Sequence, residues 1–284
     1  MNFDEEKNKI LGGTLYLVTT PIGNMSDITY RAVKTLAEVD FIAAEDTRNT
    51  ARLLSHFEIK KPLVSYHEHN KATRGPEIVN RLKGGQSCAL VTDAGTPAIS
   101  DPGEDLVCLC VRENIPVTAA PGVSAVVTAL SLSALPARRF VFEGFLSTIK
   151  SERRARLEAL KNETRTIIIY EAPHKLKTTL DDLLAAFGDR EISLCRELTK
   201  RNEEILRTTL SAAVSYYNDN EPRGEYVLIL AGGAENEGGF WQDMDIPAHV
   251  NYYISLGLSK NDAIKAAAKD RGVPKNVIYN TFVK

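Results

Sequence analysis

The sequence predicts an α/β protein built on two sheets and followed by a small helical piece. Three observations carry that expectation. From Gly13 to Ala125 short apolar runs alternate with segments of helical periodicity, the rhythm of a parallel sheet covered on both faces. After Arg138 strand-like runs continue with fewer helices between them, so the second sheet should be mixed. Each strand of the first set ends in polar or small residues, TPIGN, EDTR, HEHN, DAGTP and PGVSA. A parallel sheet gathers such ends along one edge, where open α/β sheets bind ligands.

The first strand is Gly13 to Thr20, stopped by Pro21-Ile22-Gly23-Asn24, with Ser26 and Asp27 as candidate caps for a helix carrying Ala32, Val33 and Leu36. Phe41 to Glu45 is the second, followed by a helix with Leu53, Leu54 and Phe57. The third, Leu63 to Tyr66, ends at His67-Glu68-His69-Asn70, and Pro76 suits the first turn of a helix carrying Ile78, Val79 and Leu82. Ala89 to Thr92 is the fourth and Pro116 to Ala119 the fifth. Ala134-Leu135-Pro136 reads as a linker. Beyond it, strands are expected at Phe140 to Phe145, Thr166 to Glu171, Glu191 to Leu198, Leu206 to Leu210 and Glu225 to Leu230. A helix with Leu176, Leu180, Leu183, Leu184 and Phe187 on one face stops at Gly188. Gly232-Gly233 through Gly238-Gly239 reads as a flexible joint, after which Ser259 with Asp262 opens one helix and Pro274 restarts another, a hairpin of helix-turn-helix type. The expected division is a tail over residues 1–12, one α/β domain over 13–122, a second over 123–233, and a linker with the helical region over 234–284.

Composition narrows the function. A net charge of -2 offers no global field for nucleic acid, so an RNA partner would have to meet a local basic patch. Cys88, Cys108, Cys110 and Cys195 lack the spacing of a zinc site and read as small buried residues in a reducing compartment, with no metal expected. The charged start, MNFDEEKNKI, does not resemble a signal peptide, and no run is long enough to span a bilayer, which places the protein in the cytoplasm.

The stretch around which the rest is organised is Ala89 to Gly103, ALVTDAGTPAISDPG: a buried strand, a carboxylate at its end, and a turn of small residues that lets a ligand approach the backbone. The turn after the first strand is neither GxGxxG nor GxxxxGK[ST], so a pyrophosphate cradle is unsupported. S-adenosylmethionine fits a site with close backbone contacts and a carboxylate but no phosphate clamp.

Thr19-Thr20-Pro21-Ile22-Gly23-Asn24, Glu45-Asp46-Thr47-Arg48, Asp93 to Pro97 with Ser100 to Gly103, Pro121 to Ala125, Tyr170 to His174 and Glu197 to Lys200 together resemble, in order, the signature blocks of the tetrapyrrole methylase superfamily, and within it the ribosomal-RNA branch. The likeness runs from Gly13 to Gly232, with Val250 to Thr281 similar to that branch's helical end. The resemblance implies a class III methyltransferase fold, S-adenosylmethionine in a cleft between two α/β domains, a homodimer, and 2′-O-methylation of a cytidine in the decoding region of 16S rRNA, in the 30S subunit. Members that modify tetrapyrroles have a GxGxG-like turn where this chain has TPIGN, which favours the RNA branch.

Carried onto this sequence, the resemblance puts Pro21, Gly23, Asp93, Ala94, Gly95, Thr96, Ser124, Ala125 and Tyr170 against the cofactor. A ribose hydroxyl is a weak acid, so a base or a cation beside the developing alkoxide would help. Glu45, Asp46, His67, His69, Glu171, His174 and Glu197 are available at the edge, with Arg48 and Lys200 as cations, and Glu45 and Glu171 are the bases named. From Arg138 to Arg165 there are eight Lys/Arg against four Glu. Lys150, Arg153 and Arg154 there, with Arg48, His67, His174 and Lys200, form the expected RNA surface. Lys260, Lys265, Lys269, Arg271 and Lys275 offer a weaker one. Two rivals stand beside this reading: a small-molecule tetrapyrrole methylase, and a non-catalytic ribosome-binding factor.

Overall fold

A computed structural model describes residues 9–233, 241 and 244–282. The joint expected over 232–239 and the first eight residues fall largely outside that range. The chain divides into two compact units, Met1–Gly232 and Gly233–Lys284.

The first unit holds two five-stranded sheets. In one, β1 (Leu15–Val18), β2 (Phe41–Ala44), β3 (Leu63–Ser65), β4 (Cys88–Val91) and β5 (Val117–Ala120) lie in the order β3-β2-β4-β1-β5, all parallel. Helices cover both faces, so the apolar runs of the inner strands β2, β4 and β1 are buried, while the edge strands β3 and β5 are only partly so. On one face α1 (Tyr30–Glu38) and α2 (Thr47–His56) bring Leu36, Leu53 and Leu54 against Val18 and Ile42; on the other α3 (Lys71–Lys83) and α4 (Gly103–Arg112) bring Ile78, Leu82 and Leu106 against Leu15 and Phe41. Neighbouring strands β1 and β4 therefore send their outgoing loops to opposite faces, and the crevice between those loops is where such sheets take ligands.

Local chemistry departs from the sequence expectation at two helix starts. Thr29, not Ser26 or Asp27, caps α1 by accepting the Ala32 N–H at 3.1 Å; Ser26 and Asp27 lie in a short 3-10 turn capped by Asn24. Pro76 is inside α3, not in its first turn: the helix begins at Lys71, because Asn70 closes the preceding loop onto Ser65 and His67. Cys88, Cys110 and Cys195 are buried as expected, but Cys108 is exposed, since it falls on the outer face of α4.

α5 (Ala125–Leu132) follows β5 but packs Val126, Ala129 and Leu130 against the second sheet. That sheet has the order β6-β7-β10-β8-β9, with β6 (Phe140–Phe145), β7 (Thr166–Glu171), β8 (Glu191–Arg196), β9 (Glu204–Thr209) and β10 (Tyr226–Leu230). It is mixed, as the shortage of crossover helices requires: β6 and β7 are parallel and the remaining pairs antiparallel. α6 (Lys150–Leu160), α7 (Pro173–Phe187) and α8 (Leu210–Asp219) cover the face opposite α5.

The described part of the second unit contains three helices, one more than the expected hairpin: α9 (Ile246–Ser255), α10 (Lys260–Asp270) and α11 (Lys275–Phe282). The extra helix is announced by Asp245, whose side chain accepts the Ala248 N–H, and by a proline in its first turn. Val250, Ile264 and Ile278 form its core, beside a fully buried His249 that bonds Asp270 and Arg271. No helix among the described residues is long and apolar enough to cross a membrane.

Candidate functional site

The loops that leave β1, β2 and β4 face the carboxyl end of β7 and the amino end of β10 across a cavity of about 610 Å³. Two glycines let the halves approach. A Cβ on Gly23 would stand 2.3 Å from Lys200 Cγ, and one on Gly144, at φ +62°, would stand 2.8 Å from Ser100 Oγ. Gly144 marks an irregularity of β6 against β7, the usual meaning of a glycine inside a strand. The loops themselves are held under backbone strain: Ala98 and Ser100 on one rim, Glu197 and Thr199 on the other, adopt φ of +67°, +62°, +50° and +65°. Non-glycine residues in that region are uncommon and gather where the surroundings fix them for a purpose.

The rim from the first sheet is acidic. Glu45 accepts the Thr92 hydroxyl at 2.7 Å; Asp93 accepts the Asp46 N–H at 3.2 Å and the Asn49 amide at 3.3 Å. Partial burial, and after it the Glu45 carboxylate, raises the Asp93 carboxyl above its ordinary value. Among the described residues no cation forms an ion pair with Glu45 or Asp93, so the arrangement favours a positively charged ligand. Asp46 is different: the Arg48 side chain and N–H hold its carboxyl down at about 2. Asp101 also lines the cavity, but its oxygens take the N–H groups of Ala98, Ile99 and Gly103 and so staple the loop.

The rim from the second sheet holds its charges within hydrogen-bond networks. Lys200 Nζ donates to Glu197 at 2.9 Å and Glu225 at 2.8 Å. Burial pulls its pKa down, but those two carboxylates outweigh it and the net shift is upward, so it stays a cation. Glu171 is 3 % exposed yet lines the cavity; it accepts the Ala172 N–H at 2.8 Å and the Thr179 hydroxyl at 2.5 Å. Arg153 donates to Thr179 at 2.8 Å and to Asp182 at 2.5 Å, so a chain of hydrogen bonds runs from the surface of α6 to a buried carboxylate at the cavity. Tyr170, packed edge-on to Phe142 and tilted against Phe145, supplies the apolar floor, and burial raises its phenol.

Of the residues expected at the cofactor, Asp93, Ala94, Ala125 and Tyr170 line the cavity. Pro21, Gly23, Gly95, Thr96 and Ser124 do not; they stand in the turns that shape it. Gly95, at φ +83°, exchanges two backbone hydrogen bonds with Thr20, and Thr96 Oγ1 donates to the Val123 carbonyl. Ser124 precedes α5 without a side-chain cap bond. Glu45, Glu171, His174 and Lys200 line the cavity. Arg48 is outside it, exposed and paired to Asp46, and His67 lies at the end of edge strand β3 beside Asn70. Lys150 and Arg154 are exposed on α6, whereas Arg153 is only 11 % exposed and turned inward. The basic surplus of 138–165 is also smaller in space than in sequence, because Arg153, Arg156, Lys161 and Arg165 each have a carboxylate partner. Sequence reasoning misses Glu225, Phe145 and Ser100, all of which line the cavity. A glycine inside a strand, Gly144, is a signal for the approach of Ser100; nothing local marks Glu225, which reaches Lys200 only through the fold. Among the described residues no group of His, Cys, Asp and Glu side chains is placed to hold a metal ion.

Residues 14–214 match the family described as Tetrapyrrole (Corrin/Porphyrin) Methylases. The chain is 52% identical over 273 residues to the ribosomal RNA small subunit methyltransferase I of Halalkalibacterium halodurans, covering 95% of this chain and 94% of that protein. To the protein of the same name from Bacillus subtilis it is 47% identical over 274 residues, with the same coverage of 95% and 94%. Among solved structures it is similar to a cobalt precorrin-4 methyltransferase (TM-score 0.59, 18% identity, 77% of this chain and 95% of that one) and to a diphthine synthase (TM-score 0.58, 14% identity, 77% and 90%). At those identities the likeness speaks for the fold.

Proposed function

The chain belongs to the tetrapyrrole methylase family, and from that premise we propose that it transfers a methyl group from S-adenosylmethionine to the 2′-oxygen of a cytidine in the decoding region of 16S rRNA. Support for the RNA substrate comes from relatives about half identical over nearly their whole length and named for small-subunit ribosomal RNA. The observation that carries the chemistry is the pairing of two unlike rims across one cavity: acidic and unneutralised on the first sheet, pinned by hydrogen bonds on the second.

The residues present fit the donor. Asp93 and Glu45 offer negative charge to its cationic groups, the small Ala94 beside Asp93 leaves room for the ligand to approach, and Tyr170 with Ala125 gives an apolar surface. When bound, S-adenosylmethionine supplies a methyl carbon activated by positive sulfur, so the protein has only to align the attacking oxygen and receive its proton. Glu171 is the base this site is best built to use. Its two oxygens are oriented by Ala172 and Thr179, and it sits just before the amino end of the fifteen-residue helix α7. Lys200 contributes a fixed positive charge for the alkoxide or the adjoining phosphate. Arg154 and Lys150 are exposed on α6 and face solvent, where the RNA backbone can meet them.

The two α/β halves, 13–122 and 123–233, act as the jaws of the site, and the enzyme works as a cytoplasmic homodimer on the 30S subunit. Incubation with labelled cofactor and 30S subunits lacking the modification tests the proposal. Label in a ribose 2′ position supports it; label in a tetrapyrrole, or none despite RNA binding, overturns it.

A further inference from the structure

A second cavity, about 310 Å³, shares Tyr226 of the central strand β10 with the first. The register connects them. Glu171 pairs with Tyr226, Tyr226 with Arg196, and Arg196 with Glu204, so four side chains stand in a row on one face across β7, β10, β8 and β9. Glu171 opens on the cleft, Arg196 and Glu204 line the second cavity, and Tyr226 lines both. At about 4.8 Å per strand, Glu171 and Arg196 are roughly 10 Å apart.

We propose that this pocket is a subsite for one unpaired nucleotide of the RNA substrate, next to the nucleotide whose ribose enters the cleft; the inference rests on the rRNA reading above. Its size suits a single nucleoside, at the lower limit of the roughly 300–1,000 Å³ of small-ligand sites. Its wall is aromatic. Tyr216, 42 % exposed, stands edge-on to Tyr217 at 5.0 Å, and Tyr217 stands edge-on to Tyr226 at 6.0 Å, so a partly open ring is backed by two buried ones. Unstacked RNA bases are taken up on such rings.

The charges agree. Glu204 is paired with Arg196 at 3.0 Å and Glu221 with Lys177 at 2.8 Å, so neither carboxylate on the wall is left to repel a phosphate. Arg196 also donates to the Arg223 carbonyl at 2.7 Å, and the Arg223 N–H donates to the Tyr226 hydroxyl at 3.3 Å, which fixes that loop. The Arg223 guanidinium itself has no hydrogen bond or ion pair among the described residues and borders the pocket. The pocket thus presents one open ring and one uncommitted cation, the two groups that a nucleotide's base and phosphate require.

The test compares wild type with Tyr216→Ala, Tyr216→Phe and Arg223→Ala on unmodified 30S subunits. Tyr216→Ala should raise the KM for subunits roughly ten-fold while the affinity for S-adenosylhomocysteine and the melting temperature stay near wild type, and Tyr216→Phe should behave as wild type. Arg223→Ala should lower the slope of log affinity against log salt by about one. A readout independent of turnover and of the stability of Tyr216→Ala uses a short oligoribonucleotide carrying 2-aminopurine beside the target cytidine. Quenching by wild type that is lost in Arg223→Ala supports the subsite; equal quenching by both, or none by wild type, overturns it. Wild-type methylation unaffected by all three substitutions removes the subsite and leaves the rRNA reading standing, whereas a wild type that cannot methylate 30S subunits removes both.

Discussion

The two rims of the cleft meet the same cavity with opposite electrostatic designs. The first-sheet rim leaves Glu45 and Asp93 near each other with hydroxyl, amide and backbone partners, so burial and like charge raise Asp93 and the rim gains by receiving a cation. The second-sheet rim satisfies its charges internally: Lys200 between Glu197 and Glu225, Glu171 through Thr179 to Arg153 and Asp182. The difference teaches a division of labour. In the proposed function the first rim's unsatisfied charge receives the cationic donor, and the second rim's satisfied charge keeps the reacting groups in place.

The sharpest way to break that contrast is to remove one carboxylate from each rim. Glu171→Ala should lower turnover by at least about 100-fold, the ordinary worth of a positioned base, with affinity for S-adenosylhomocysteine, read by calorimetry, changed less than about threefold. If turnover survives and Glu45→Ala abolishes it instead, the base belongs to the first rim. Asp93→Ala should do the converse, weakening cofactor affinity by roughly ten- to a hundred-fold, the loss of a charged contact of about 1.5–3 kcal/mol. Because Asp93 titrates above its ordinary value, that affinity should also fade on acidification sooner than for an unperturbed aspartate.

Neighbouring arginines on α6 sharpen the comparison further. Arg153→Met removes the cation that pairs with Asp182 and bonds the Thr179 oxygen, and should destabilise the protein by about 1 kcal/mol, with turnover falling because the Thr179 hydroxyl that bonds Glu171 loses its own anchor. Arg154→Glu should change the melting temperature little and raise the KM for subunits several-fold. Equal effects from the two would erase the distinction between an arginine that supports the site and one that meets RNA.

The smallest effect belongs to the helical unit of residues 245–282, where His249 is buried against Asp270, Arg271, Trp241 and Tyr253. Burial, only partly offset by Asp270, lowers its pKa below 6.5, so folding favours the neutral ring. Stability is therefore intact above pH 6.5 and is lost as pH falls below it, by no more than about 1.4 kcal/mol per unit. Circular dichroism of His249→Gln, which should lack this dependence, checks it.

Much of this architecture is legible in the residues alone. Period-two and apolar runs locate the strands of both sheets because each is short and bounded by turn residues and the inner ones are buried, and the mixed second sheet follows from too few helices for parallel crossovers. Loops at strand ends are legible as the site because a parallel sheet collects them by necessity. What sequence cannot supply is partnership across distance. Arg153 and Arg154 look alike in a run of cations, and only the position of Thr179 and Asp182, one helix away, turns the first inward. Glu225 reads only as the start of an expected strand, and the antiparallel pairing of β10 with β8 is what brings it to Lys200. Pro76 misleads because proline favours a first turn on average, while Asn70 has already closed the loop and let the helix begin at Lys71.

Four left-handed residues on the two lips, Ala98, Ser100, Glu197 and Thr199, have an implication for anyone wishing to toughen this protein. Glycine at Ser100 should relieve on the order of 1 kcal/mol of torsional strain, and heat resistance is therefore available there without touching the interior. The same change would let the lip wander, so a sturdier variant should also be a slower one, its gain in shelf life matched by a loss in pace.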